Sequence, residues 1–555
     1  MAERPDLAAL LESALALHAD GDLESAEALY AEILGREPQH FTARHCLGVI
    51  ASQRGRYEDA ARMIGEALQL NPRSAMAHLN LGIALGQLGR PAEAIGHYRL
   101  SLALNPDFPD THMNLAVALH ALQRHEQALA AYDRALELKP DFALAHSNKI
   151  FTLDFIPRFG FAEHQQERRA FQRMQAARFH PPAHPNPRDP DRPLTVGYVS
   201  ADFRRHSAAS CFGPVLHHHD RDAFRVVCYS GVRVEDDWTG RFRSCASAWR
   251  AVAGLDDEAL ADLIRQDGVD ILVDLSGHTE GNRLLVFARK PAPVQVTAWG
   301  HGGGTGLPAI DHQFTDPVHT PAWARPLFAE SSWDLPCCIT FEHPSQAPPV
   351  AGLPVLASGF VTFGSINRVI KLTPEARALW ARVLQAVPGS RLLLKDASFD
   401  DPRGREAVLD AFSGLGIGPE RLELLGFTSH EEHLAACARI DLALDTFPQN
   451  GGITTWETLW MGVPVVAVAG NKPPSRISAA ILHALGLDGW IAEDEEGYLR
   501  LAVAAAADPA MLARFRQDIR PRIAASAAGD PERYTRTVEA AYRAMWRGWV
   551  GRATP

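Results

Sequence analysis

Hydrophobic and small residues recur along the first part of the chain with a period of 34 residues. Each period contains two stretches of helical hydrophobic spacing separated by a short polar turn. Three columns of identical residues repeat with this spacing of 34 residues. They are Ala26, Ala60, Ala94 and Ala128; Leu34, Leu68, Leu102 and Leu136; and Pro38, Pro72, Pro106 and Pro140. The pattern predicts four helix–turn–helix units over residues 7–141, in which alanines permit close helix packing and prolines end each second helix.

The turn inside the first three units carries a glycine, at Gly21, Gly55 and Gly89. The unit length and the pattern of small, aromatic (Tyr30, Tyr98 and Tyr132) and proline positions resemble the tetratricopeptide repeat family. Such an array buries its core between neighbouring units and leaves a concave face open. We therefore expect residues 6–153 to form a repeat array that binds a protein or peptide. A purely structural array used for oligomerisation is the alternative.

The hydrophobic pattern changes after the repeats. Residues 154–193 predict a helical and then proline-rich linker, because the prolines of residues 181–193 exclude both helix and central strand. Beyond it, short β-branched runs alternate with helical segments, which is typical of a parallel sheet covered by helices on both faces. This alternation of strands and helices occurs twice, over residues 194–345 and over residues 359–548. The predicted fold class is thus an α solenoid followed by two doubly wound, Rossmann-like α/β domains.

Composition narrows the class of partner. The 555 residues carry a net charge of −11, which argues against a nucleic-acid partner held by phosphate neutralisation. Neither a membrane-length apolar run nor a secretory signal is visible, so we expect a cytoplasmic protein without a membrane partner. Its seven cysteines, including the adjacent Cys337 and Cys338, are expected to be thiols. The sequence leaves the oligomeric state open.

A run of polar residues, His217-His218-His219-Asp220, has the composition of a metal site. Consecutive helical residues point in different directions and do not easily share one ion. We therefore expect no metal there.

Residues 445–464 leave a predicted strand, cross a glycine turn and enter a helix. A helix amino end presents unpaired N–H groups and a positive partial charge, which is typical of a phosphate site. Glu457, one turn into that helix, is placed to accept hydrogen bonds from a ribose. The alternative for Glu457 is a capping box with Thr454, which needs no ligand.

Three other residues follow predicted strand ends or begin helices. Lys371 precedes a helix opened by Thr373 and Pro374, where it would neutralise a diphosphate or else be a solvated surface lysine. His433 lies on a helix capped by Ser429 and would stack on a base or lie on the surface. His206 follows the first strand of the first domain, which suits a proton acceptor near neutral pH or a structural histidine. Two glycine loops, 277–282 and 299–306, are weak signals by themselves.

Taken together, these motifs resemble the O-linked N-acetylglucosamine transferases of glycosyltransferase family 41, which include plant SPINDLY-type and bacterial members. The resemblance spans nearly the whole chain and implies a GT-B catalytic region after the repeats. It implies His206 as the active-site histidine, Lys371 as the lysine on the nucleotide diphosphate, His433 beside the uracil and Glu457 on the ribose. The catalytic candidates are therefore His206 and Lys371. The nucleotide-sugar-binding candidates are Asn367, Arg368, His433, Asn450, Gly451, Gly452, Thr454, Thr455, Glu457 and His278.

The resemblance implies inverting transfer of a sugar, N-acetylglucosamine from UDP-N-acetylglucosamine, onto Ser or Thr hydroxyls of a protein held by the repeats. Lys371 and the helix amino end would stabilise the leaving diphosphate, so no metal and no other cofactor is expected. Gly452, Ile453 and Arg368 depart from the usual family residues, and loop 299–306 is one residue shorter than the common form. The alternatives are a protein O-fucosyltransferase using GDP-fucose, a catalytically inert repeat scaffold with a relic GT-B region, and a GT-B enzyme acting on a small molecule or polysaccharide.

Overall fold

The computed structural model describes residues 6–344 and 347–552, which divide into two compact units with the boundary after Thr152. The first unit contains four helix–turn–helix pairs. Its helices are α1 Leu7–Ala19, α2 Leu23–Arg36, α3 Phe41–Gln53, α4 Tyr57–Leu70, α5 Ala75–Gln87, α6 Pro91–Leu104, α7 Pro109–Ala121 and α8 His125–Leu138, and α9 Ala143–Leu153 follows them.

The repeat columns explain the packing within each pair. The four alanines of the first column are fully buried, and a Cβ added to Gly82 would overlap the ring of Tyr98. The turn residue adopts a left-handed conformation in each unit, with φ between 69° and 83° at the three glycines and 57° at Gln123 in the fourth. Each proline of the third column lies two residues beyond the end of a helix. The prediction of four repeats over residues 7–141 is confirmed.

The second unit begins with a connecting segment. Helix α10 spans Phe161–Phe171 and continues into a π-helical stretch, Gln172–Ala176. Residues 154–160 interrupt the helix that the sequence predicted to continue beyond the repeats, and residues 179–189 have no regular structure.

The first sheet of this unit has seven parallel strands in the order β3-β2-β1-β4-β5-β6-β7. Its elements are β1 Leu194–Ser200, α11 Ser207–His218, β2 Phe224–Ser230, α12 Asp237–Cys245, β3 Ala248–Ala251, α13 Asp257–Gln266, β4 Ile271–Asp274, α14 Leu284–Ala288, β5 Val294–Thr297, β6 His312–Thr315 and β7 Ser331–Asp334.

The second sheet has six parallel strands in the order β10-β9-β8-β11-β12-β13. Its elements are α15 Val355–Ser358, β8 Thr362–Ser365, α16 Pro374–Ala386, β9 Arg391–Lys395, α17 Pro402–Ser413, β10 Leu422–Leu425, α18 His430–Cys437, β11 Leu442–Leu444, α19 Ile453–Trp460, β12 Val465–Val468, α20 Ile477–Ala484, β13 Ile491–Ala492, α21 Glu495–Ala506, α22 Pro509–Ala525 and α23 Pro531–Val550.

The predicted fold class is confirmed by these two parallel sheets. The sequence did not predict β3, β6, β7 and β13, which are two to four residues long. It also assigned α23 to the second domain by position, whereas this helix packs on α11 of the first. Tyr542 meets Tyr198 at 3.2 Å between hydroxyl oxygens, and Glu539 Oε1 lies 3.0 Å from His219 Nδ1. The hydrophobic face of α23 was readable from the sequence, but the sheet that it covers was not.

Among the described residues, no helix combines the length and the apolar character that a bilayer span requires.

Candidate functional site

Strand order places the candidate residues at one edge of each sheet. In each sheet the chain winds outward in both directions from a central strand pair, β1 and β4 in the first and β8 and β11 in the second. Ligands of open parallel sheets bind beyond the carboxyl ends of the strands at such a switch point. The segments that follow β1, β8 and β11 contain His206, Lys371 and the glycine turn, respectively.

A carboxylate at the end of β11 organises the glycine turn. Asp445 is buried, and its Oδ1 accepts hydrogen bonds from the Gly451 N–H at 2.9 Å and from Asn367 Nδ2 at 3.2 Å. Asn367 Oδ1 in turn accepts from the Thr454 hydroxyl at 2.7 Å. One hydrogen-bonded chain therefore joins the loop after β8 to the loop after β11 and to helix α19.

The amino end of α19 has free backbone donors. Gly452 is the N-cap residue of the helix, and the N–H groups of Gly452, Ile453 and Thr454 make no hydrogen bond to any part of the chain that the structure describes. Three adjacent free N–H groups at a helix start form an anion site. The capping box between Thr454 and Glu457 is wrong, because the helix begins one residue before Thr454.

Lys371 also contacts the glycine turn before α19. Its ammonium group donates to the carbonyl oxygen of Asn450 at 2.7 Å, while the Asn450 N–H donates to Pro474 O at 2.9 Å and its side-chain amide to Thr446 O at 2.8 Å. Thr373 caps α16 through the Ala376 N–H, with Pro374 first in the helix, as predicted. The cation is thus fixed beside the free N–H groups of α19.

Burial shifts two ionisable groups here towards neutrality. Loss of water around Lys371 lowers its pKa to about 8, an effect that Asp445 opposes and Arg368 reinforces. Burial raises the pKa of Asp445 to about 6, although the Gly451 N–H and Lys371 favour its charged form. A diphosphate bound beside Lys371 would restore the ammonium form by supplying opposite charge.

These pKa values predict a pH dependence for nucleotide binding. The ammonium form of Lys371 predominates below pH 8 and is lost above it, so UDP affinity should fall as pH rises, by up to about tenfold per pH unit above pH 8. Isothermal titration calorimetry at pH 7, 8 and 9 measures this dependence. The Lys371→Met variant should show weak binding without the decline, and an equal decline in that variant would assign the effect to another group.

Several buried polar atoms around this loop have no partner among the described residues. They are Asn450 Oδ1, Asp445 Oδ2 and Ser365 Oγ. Buried polar atoms are almost always hydrogen-bonded, so these three atoms beside the glycine turn indicate a site for water or a polar ligand.

Two histidines meet Glu457 next to the phosphate loop. Glu457 is buried, and its two carboxylate oxygens lie 3.5 Å from His433 Nε2 and 3.7 Å from His430 Nε2. The imidazole rings are nearly parallel, with centroids 6.2 Å apart. Both rings lie on one face of α18 because residues three apart on a helix are neighbours, and the predicted capping box of Ser429 and Glu432 begins that helix. The carboxylate and the two rings are polar and planar groups suited to a nucleoside.

His206 lies at the facing edge of the first sheet, as the N-cap of α11. Its Nδ1 accepts from the Ala208 N–H at 3.3 Å and is 3.5 Å from Asp202 Oδ2. Removal from water lowers the pKa of His206; Asp202 opposes this, and the positive charges of Arg204 and Arg368 reinforce it. The charge of Arg368 lowers the pKa of both His206 and Lys371, so both catalytic candidates lie within its electrostatic reach.

The remaining predicted residues differ in their placement. Thr455 is buried and shares a hydrogen bond with Ser478 at 2.8 Å. This bond supports the glycine turn. The structure does not bring His278 to the other candidates. It is fully buried, its Nε2 lies 2.9 Å from Thr305 O, and its ring packs on Phe171.

The histidine run does not converge on one point. His217 contacts Glu342 at 3.3 Å, whereas His219 contacts Glu539 at 3.0 Å. A different group, Asp316 with Cys337 and Cys338, places three potential ligand atoms within 4.8 Å of one another.

The carboxylate of Asp316 is already hydrogen-bonded to backbone N–H groups. Asp316 Oδ1 accepts from the N–H groups of Val318 and His319, and Oδ2 accepts from the Cys338 N–H. The arrangement is that of a capped turn, and all seven cysteines of the chain are free thiols.

Sequence reasoning missed three residues of the site. Asp445 had a signal, since it ends a buried strand before the glycine turn. His430 had a weaker one, one helical turn before His433. Ser478 had none, because its contact with Thr455 depends on how α20 packs.

This chain is similar to a glycosyltransferase family, to curated plant and animal proteins and to a solved bacterial structure. The model "Glycosyl transferase family 41" matches residues 144–336 and 351–538, and tetratricopeptide repeat models match residues 47–109 and 109–142. An O-GlcNAc transferase from Thermobaculum terrenum, solved as a lysine-to-methionine mutant, is 34% identical with a TM-score of 0.85, covering 92% of this chain and 98% of that one.

Two curated relatives illustrate the range of similarity. The tomato (Solanum lycopersicum) protein named "Probable UDP-N-acetylglucosamine–peptide N-acetylglucosaminyltransferase SPINDLY" is 39% identical over 376 residues, which is 67% of this chain and 40% of the relative. A Caenorhabditis elegans UDP-N-acetylglucosamine–peptide N-acetylglucosaminyltransferase is 23% identical, covering 64% of this chain and 41% of that protein. The chain thus spans about 40% of the length of the curated relatives it matches.

Proposed function

Because this chain belongs to glycosyl transferase family 41, we propose that it transfers N-acetylglucosamine from UDP-N-acetylglucosamine to Ser or Thr hydroxyls of a protein, with inversion at the anomeric carbon. The observation that carries this proposal is the Lys371 ammonium, fixed beside three free N–H groups at the start of α19. This is an anion site at the switch point of the second sheet, opposite His206 on the first.

The site residues support a single displacement. The acceptor oxygen forms a bond to the anomeric carbon while the bond from that carbon to the β-phosphate oxygen breaks. Lys371 and the free N–H groups stabilise the charge that grows on the departing UDP. Burial lowers the pKa of His206, which favours the neutral ring. In the tautomer that carries its own proton on Nδ1, towards Asp202 Oδ2 at 3.5 Å, and gives up the bond from the Ala208 N–H, Nε2 takes the acceptor's proton. Glu457 and the two histidines hold the nucleoside.

Positive charge from the protein replaces the divalent ion that many nucleotide-sugar enzymes need. We therefore expect no metal requirement. The acceptor protein would be held by the repeat array of α1 to α8, because such arrays present a concave face to extended polypeptides.

Transfer of radiolabelled sugar to proteins tests the proposal directly. The purified chain is incubated with proteins of a cell lysate and labelled UDP-N-acetylglucosamine, with and without EDTA. We expect label on Ser or Thr at equal rates in both samples. Label from GDP-fucose alone would replace the proposed donor, and no label from any nucleotide sugar together with no binding of UDP or GDP would favour the inert scaffold.

A further inference from the structure

A second buried lysine lies behind the phosphate loop. Lys472 is fully buried in the segment after β12. Its ammonium group donates to the carbonyl oxygens of Ile156 at 2.5 Å and Leu153 at 3.3 Å, at the end of α9 and in the turn beyond it. Burying a cation is costly unless it is paired and hydrogen-bonded, so the bonds to these two carbonyls are needed to hold Lys472 in place.

The connecting segment is fixed at the same place by an ionic cluster. Asp154 is fully buried and lies 2.5 Å from His301 Nε2 and 3.3 Å from His164 Nδ1. Burial acts to raise the pKa of Asp154, but the hydrogen bond and charge of His301, with smaller effects of His164 and Arg168, outweigh it and lower that pKa to about 2. Burial lowers the pKa of His164 itself to about 3. Asp154 also opposes the effect of burial on Lys472, whose pKa is lowered to about 8. Residues 153–164 therefore form a rigid base for the Lys472 segment.

The connecting segment also contacts Asn471, the residue before Lys472, through the backbone. The Phe161 N–H donates to Asn471 O at 3.0 Å, and a Cβ added to Gly160 would lie 3.3 Å from the same oxygen. The connecting segment thus contacts two successive residues after β12.

The other side of the Lys472 segment touches the phosphate loop. Pro474 O accepts the Asn450 N–H at 2.9 Å, and Lys371 holds the carbonyl of that same residue, Asn450. Ser478 also donates to Gly451 O at 3.1 Å. Residues 472–478 therefore form a single bridge from the connecting segment to the loop that would receive the diphosphate.

We propose that Lys472 is a positioning residue for the nucleotide diphosphate, because its bonds to the Leu153 and Ile156 carbonyls fix the segment whose Pro474 carbonyl orients Asn450. The ammonium does not touch the donor. It sets the conformation of residues 450–454 and, through Asn450, the place of the Lys371 cation. This inference rests on the proposed function only in the choice of UDP as the probe.

The test compares two buried lysines. Lys472→Met removes the ammonium but keeps an unbranched stem of similar volume. The control is Lys290→Met, because Lys290 is also buried and bonds a carbonyl, Ala309 O, at 2.7 Å. Lys290 also pairs with Asp311 Oδ2 at 2.5 Å, and it lies before β5, at the amino end of that strand and away from the carboxyl ends where the site lies. Hydrogen–deuterium exchange of the full chain is measured over residues 449–456, with UDP affinity and thermal unfolding.

We expect Lys472→Met to increase exchange at the Asn450 amide and to weaken UDP binding by about tenfold, the value of one lost orienting hydrogen bond. Lys290→Met should lower the unfolding temperature without either effect. Unchanged exchange over 449–456 in Lys472→Met, or the same increase in Lys290→Met, would overturn the inference. If the wild type binds neither UDP nor GDP, the proposed function fails, while the exchange result still decides this inference.

A second variant covers the case in which Lys472→Met does not fold. Gly160→Val places a branched side chain against Asn471 O and loosens the segment without removing a charge. It should increase exchange at Asn450 in the same direction by a smaller factor. No change at Asn450 in folded Gly160→Val would count against the bridge.

Discussion

Replacement of Lys371 by methionine should lower the turnover number for sugar transfer by about 100- to 1000-fold, the usual effect of removing one preorganised charge from a transition state. Lys371 is the cation held against the Asn450 carbonyl, next to the free N–H groups of α19. Negative charge grows on the departing diphosphate at that place. The ground-state substrate carries less of this charge at the breaking bond, so kcat should fall more than the Michaelis constant rises.

The fold should tolerate this change. Asp445 loses the positive charge of Lys371, but burial already raises the pKa of Asp445 to about 6, so the carboxyl group can take up a proton. Steady-state kinetics and thermal unfolding are measured on Lys371→Met beside the control Lys290→Met. Turnover within tenfold of wild type in a folded Lys371→Met protein would remove Lys371 from the proposed mechanism.

The second prediction concerns the adjacent glycines Gly451 and Gly452. Gly451→Ala should weaken UDP binding by about 10- to 100-fold, because a methyl group there overlaps the Thr455 hydroxyl and lies 2.8 Å from that of Thr454. Overpacking of this kind costs about 1–3 kcal/mol. Both hydroxyls are held by hydrogen bonds, to Ser478 and to Asn367 respectively, so they cannot move aside without breaking the chain that shapes the loop.

The neighbouring glycine is the matched control. A Cβ on Gly452 meets only the end of Ile339, at 3.3 Å, and Ile477 at 3.8 Å. Gly452→Ala keeps the backbone N–H of the anion site and adds a methyl group without overlap, so UDP affinity should change by less than about threefold, below the lower end of the overpacking cost. Calorimetry on both variants decides the question. Equal losses would show that the loop needs two flexible residues, and no loss in Gly451→Ala would contradict the geometry given to the loop.

The repeat array was almost fully determined by its sequence. A repeat core forms between neighbouring units, so its packing rules appear as columns in the sequence, and the left-handed turns fall where the column holds glycine. Gln123 is the exception, because it adopts the left-handed conformation in the fourth unit without being glycine. Local signals were equally reliable at Thr373 and Ser429, where one cap and the following few residues decide where a helix begins.

The site could be predicted only in outline. Strand ends and the glycine turn indicated Lys371 and residues 450–455, since parallel strands bring their carboxyl ends to one edge. The capping box with Thr454, the alternative for Glu457, does not form because α19 begins at Ile453 with Gly452 as its N-cap. The turn before that helix is held by a hydrogen bond between Asp445 and Asn367, which are 78 residues apart. His278 was assigned to the nucleotide sugar, but its ring is enclosed by Phe171 and the 299–306 loop.

The sequence by itself determined the repeats, the two series of strands and the residue types of an anion site. Tertiary structure alone decided that α23 covers the first sheet, that His430 joins His433 at Glu457, and that Lys472 bonds a carbonyl 316 residues away. The physical reason is the range of the interactions. Helix caps, turns and repeats depend on neighbours in the sequence, whereas partners across a cleft depend on the order in which strands assemble.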